Sequence, residues 1–130
     1  KIADTYWYMT IIYGDQGDIK NAYQSLKSMM KIGRTFTNQQ ELLYAAQLVS
    51  KSGDWEMARD IYGRALYSDP KNPEILLVLS EIYSRLSDQL KAQEMTDPEV
   101  GFLQMKSQEM ADRATLYDAD ALNKAKKWLK

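Results

Sequence analysis

Residues 53–72 read GDWEMARDIYGRALYSDPKN, and partial echoes of this stretch lie on both sides of it. Gly17-Asp18 precedes Ala22 as Gly53-Asp54 precedes Ala58, 36 residues later; Ser87-Asp88 and Ala92 follow after another 34. A helical pattern repeating every 34 to 36 residues is the signature of stacked helical hairpins. Such a unit cannot bury its apolar face alone, so neighbours supply the core and leave an extended binding surface. The repeat therefore predicts an architecture and a mode of action, which is binding.

Outward from this stretch, the apolar spacing predicts further helices. Residues 3–13 form the first, with Tyr6, Met9, Thr10 and Tyr13 on one face. Asp18 caps a second to about residue 31, burying Ile19, Ala22, Tyr23, Leu26, Met29 and Met30. Thr37 with Gln40 reads as a capping box for a third helix, 38–51, whose stripe is Leu42, Ala45, Ala46 and Val49. Asp54 caps a fourth through residue 68, and Pro70 ends it. Asn72-Pro73-Glu74 starts a fifth, to about residue 86, and Asp97-Pro98-Glu99 a sixth, to about residue 118. Between them, residues 87–97 read as a polar, partly helical insertion. A last helix, 121–130, gathers Leu122, Ala125, Trp128 and Leu129, with its lysines at the helix C-terminus. It reads as a solvating cap or as the first helix of a further repeat.

Composition narrows the chemistry. The 130 residues carry 17 basic and 18 acidic side chains, for a net charge of -1, so no basic stripe stands ready to neutralise phosphates. Nucleic acid is not an expected partner. Cys and His are absent, which removes disulfides, thiol nucleophiles, zinc ligation and the usual general base. Acid pairs such as Asp118/Asp120 read as helix caps and solvated termini. No catalytic residue, cofactor or metal is expected, and the chain is not read as an enzyme. No apolar run reaches the roughly 18 residues that span a bilayer, so no membrane insertion is expected. The first residue is Lys1 rather than Met, as in a trimmed fragment; cytoplasm and bacterial periplasm both stay open.

Gly53, Asp54, Ala58, Tyr62, Ala65, Asp69 and Pro70 stand at the spacing of the tetratricopeptide repeat, and the chain resembles that family. Tyr13, Gly17, Asp18 and Ala22 carry the resemblance into the preceding unit, and Leu76, Leu79, Tyr83 and Asp88 into the following one. It implies an all-α, right-handed superhelix of antiparallel helix pairs in a single domain. The repeats would span about 3–36, 37–72 and 73–119, with the insertion near 87–97 and the terminal helix after them. The family lines its concave groove with the first helix of each pair. By resemblance the partner-binding residues are Trp7, Tyr8, Ile11, Leu43, Tyr44, Gln47, Leu77, Val78 and Glu81, with Lys51 and Arg85 on the rim.

The carboxylate-clamp subgroup, which grips chaperone C-termini, is not matched: its five polar positions fall here on Trp7, Ile11, Tyr44, Glu74 and Val78. What remains is an aromatic and aliphatic groove for an apolar or amphipathic peptide or helix of a protein partner, the role of a scaffold or adaptor. Self-association through the same groove is a further expectation. Two alternatives stay open. The stretch from Tyr83 to Val100 is similar to that of cytochrome c maturation domains of the periplasm. The run from Ala58 to Leu66 resembles the half-repeats of RNA-processing scaffolds.

Overall fold

The computed structural model describes residues 2–92 and 98–117. Among these the chain is all-helical: α1 (Ile2–Asp15), α2 (Ile19–Ile32), α3 (Gln39–Ser52), α4 (Trp55–Ser68), α5 (Pro73–Ala92) and α6 (Pro98–Tyr117).

Local chemistry sets most of the boundaries. Asp18 accepts from the Asn21 amide at 3.2 Å, Asp54 from Met57 at 3.2 Å and Asn72 from Ile75 at 3.2 Å, each satisfying an orphan donor of the first turn. At α3 the cap is Asn38 rather than Thr37: Asn38 accepts from the Glu41 amide at 2.9 Å, while Glu41 reaches back to the Thr37 amide at 3.0 Å. The reciprocal logic of the capping box survives one residue out of the expected register. Gly33 ends α2 at φ 101°, where a side chain would be strained. Its amide donates to Met30 O at 3.0 Å and the next one, of Arg34, to Met29 O at 3.4 Å. This closing pattern aims Arg34 back across the first hairpin.

The helices pair as α1 with α2, α3 with α4 and α5 with α6, and successive pairs meet through α2 with α3 and α4 with α5. One core runs through all of them. Leu26 and Met29 of α2, Val49 of α3, Ile61 and Tyr62 of α4, and Ile75, Leu76 and Ile82 of α5 are fully enclosed. Each such aliphatic side chain contributes roughly 1.5–3 kcal/mol by burial. Ala45 and Ala46 of α3 and Ala58 and Ala65 of α4 are fully buried, and side chains this small let packed helix axes approach closely. On α6 the core contributors are Leu103, Met110 and Ala114.

Three expectations need correcting or bounding. The fifth helix does not stop at Leu86 but continues through Ala92. Leu86 is buried and Leu90 packs on the core, so the apolar stripe carries on through the segment expected to be an insertion. The rest of that insertion, 93–97, lies outside the described residues, as does the terminal helix expected over 121–130. On α1 the buried residues are Trp7 and Thr10, with Tyr6, Met9 and Tyr13 only half-buried. Thr10 tolerates burial because its hydroxyl donates to Tyr6 O at 2.8 Å.

Candidate partner-binding groove

The residues expected to line a groove stand at equivalent helical positions on α1, α3 and α5, but their exposure differs. Trp7 is only 5% exposed and belongs to the core. Its indole meets Phe36 edge-on at 5.8 Å and Tyr44 at 6.0 Å. Arg34 lies over it at 5.4 Å. Val78 is fully buried. Val78 therefore offers no contact area to a partner, and Trp7 shows only a narrow edge of its ring. Ile11, Leu43, Tyr44, Gln47, Leu77 and Glu81 are half-buried, Lys51 and Arg85 are exposed, and Tyr8 is 64% exposed.

Tyr44 organises what α1 and α3 present. Its ring helps line a cleft of about 290 Å³ with Trp7, Ile11, Asn38, Gln40 and Glu41. It also helps line a second cleft, of about 210 Å³, with Gly14, Asp15, Ile19, Gln47, Leu48 and Lys51. The Tyr44 hydroxyl donates to Ile11 O at 3.3 Å and lies 3.4 Å from Asp15 Oδ1. Burial and then the Asp15 charge push this phenol above its ordinary pKa, so it serves as a neutral donor. Gly14 makes the approach possible: a Cβ there would come within 2.3 Å of the hydroxyl oxygen. Neither cleft includes Leu77, Val78, Glu81 or Arg85 among its lining residues.

On α5, Arg85 is committed. It pairs with Glu81 at 3.2 Å and lies 4.8 Å over the Trp55 ring at the start of α4. Glu74, Leu77, Glu81 and Asp88 share one outward stripe at i, i+3, i+7 and i+14 spacing.

Sequence reasoning missed Arg34. Its guanidinium pairs with Asp4 of α1 at 2.7 Å and Glu41 of α3 at 3.3 Å while covering Trp7. The Arg34 hydrogen bond holds the Asp4 carboxyl below its ordinary value. Burial pulls Glu41 upward, but the Thr37 amide and Arg34 outweigh it and the net shift is downward. The signal was present in Gly33-Arg34, a left-handed helix end followed at once by a long cation.

A wider depression of about 520 Å³, part polar and part apolar, lies at the start of α3 and the end of α4, lined by Phe36, Thr37, Asn38, Gln39, Leu42, Ser68 and Asp69. There Gln39 donates to Ala65 O at 3.0 Å and ties the two helices together. Among the described residues no helix is long and apolar enough to cross a membrane. No family model matches the chain, and no curated protein and no solved structure matches it.

Proposed function

We propose that this chain is a non-catalytic interaction module of tetratricopeptide-repeat type, its helix pairs wound into a right-handed superhelix. Its outward α1–α3–α5 face holds an apolar or amphipathic segment of a partner protein. The observation that carries this reading is the cleft between α1 and α3, with Tyr44 and Ile11 half-exposed over a buried Trp7 and with amides of Asn38 and Gln40 at its edge. Aromatic anchors in a recess bordered by adaptable polar groups are the composition of energetically productive protein contacts. Leu43 and Leu77 stand at equivalent positions on α3 and α5, each half-buried against the core, and supply further apolar surface in the same side-chain register.

The test is selection from a displayed library of protein fragments of the source organism, against the wild type and against Leu43→Glu/Leu77→Glu. Both leucines are half-buried, so circular dichroism must first show that the variant stays folded. Fragments enriched by the wild type and lost with the variant support the groove. Identical enrichment by both proteins refutes it.

A further inference from the structure

We propose that the segment held on this face is basic and amphipathic, its apolar side on Leu43, Tyr44 and Leu77 and its cations against α5, an inference that rests on the groove reading above. The face has already spent most of its own positive charge. Arg34 is held by Asp4 and Glu41, and Arg85 by Glu81 and the Trp55 ring. Lys51 is the one cation of this face without an ion pair among the described residues.

The carboxylates are less fully matched. Glu74 and Asp88 have no ion-pair partner among the described residues, and they flank Leu77 and Glu81 on the same stripe of α5. Asp15, beside the second cleft, has the neutral Tyr44 hydroxyl near it and no ion-pair partner among the described residues. Counted over the whole face, Asp4, Asp15, Glu41, Glu74, Glu81 and Asp88 against Arg34, Lys51 and Arg85 leave a local charge of -6 + 3 = -3. An acidic ligand would bring like charge to that face, whereas a basic one would be steered to it.

The test uses two synthetic amphipathic peptides with the same leucine–tryptophan face, one with lysines on its polar side and the other with glutamates. Each is titrated against the full chain by fluorescence anisotropy. The lysine peptide is expected to bind at least about tenfold more tightly at low salt, and the advantage should shrink as salt rises. Glu74→Gln/Asp88→Asn should remove most of the difference, and the uncharged Leu43→Ser should weaken both peptides. Equal affinities that Leu43→Ser still abolishes would overturn the charge inference and leave the groove standing. Lysine-peptide binding untouched by Leu43→Ser would overturn both, since the contact would lie elsewhere. Absence of binding by either peptide would overturn the basic-ligand inference, leaving the groove to the fragment selection.

Discussion

Replacing Gly14 by alanine separates two opposed effects whose sizes can be set beforehand. Gly14 sits near the end of α1, where alanine would ordinarily favour the helix by about 0.5 kcal/mol. The new Cβ would, however, lie 2.3 Å from Tyr44 Oη and 3.3 Å from its Cζ. Tyr44 cannot simply swing away, because its ring is seated against Trp7. Overpacking of this kind costs about 1–3 kcal/mol, so Gly14→Ala should destabilise the chain by about 1–2 kcal/mol net. In a Tyr44→Phe background the closest atom is gone and the remaining contact needs only a small ring shift. There the same substitution should be neutral or stabilising by up to about 0.5 kcal/mol. Urea denaturation of the four proteins gives the coupling directly, expected at about 1.5–2 kcal/mol. The single Gly14→Ala variant should melt roughly 4–8 °C lower. A Gly14→Ala protein that gains stability equally in both backgrounds would refute the claim that Tyr44 occupies the space above Gly14.

Arg34 predicts a pH dependence. Asp4 and Glu41 are held below their ordinary values of 3.8 and 4.5 in the fold, so the unfolded chain binds protons first as pH falls. That contribution is present above those values and is lost as pH drops through the depressed ones. Arg34→Ala should therefore lower stability at neutral pH and flatten the acid limb of a stability-against-pH curve; an unchanged slope would contradict the pairing. Tyr62 predicts a gain. It is fully enclosed, its hydroxyl has no hydrogen-bond partner among the described residues, and Ser50 gives its own proton to Ala46 O at 2.9 Å. Burial pushes the Tyr62 phenol far above its ordinary pKa. Tyr62→Phe should stabilise the chain by about 1 kcal/mol, and a lower melting temperature would show that the hydroxyl is satisfied after all.

The parts of this fold legible in the sequence were those decided within a few residues. Asp18, Asp54 and Asn72 cap helices because a short side-chain oxygen lies within reach of an amide two or three positions on, whatever the rest of the chain does. Gly33 and Gly53 end helices for an equally local reason. Thr37 against Asn38 was a choice between two competent neighbours, and the chain used the second with Glu41. The length of α5 was misjudged because Ser87-Asp88 resembles a turn in isolation. Only the burial of Leu86 and Ser87 against other helices holds that turn helical.

For the candidate site the limit is sharper. Position along a helix predicts which direction a side chain leaves the backbone, not what is waiting there. Trp7 and Tyr8 are adjacent on α1, yet one is enclosed by Phe36, Tyr44 and Arg34 and the other faces outward. That enclosure depends on residues 27 to 37 positions away and has no local signature.

The cap on α4 has a consequence for how the chain comes apart. One oxygen of Asp54 holds the Met57 amide, and the other accepts the hydroxyl of Tyr23 from α2. Burial and that carboxylate raise the Tyr23 phenol to about 12. The residue that nucleates the second hairpin is thus steadied by the first, and unravelling α2 would strip α4 of part of its initiation signal. In a linear array where each unit touches only its neighbours, such a tie adds to the interface energy rather than to either unit alone. The two hairpins should therefore melt as one cooperative unit instead of fraying one after the other from the N-terminal end.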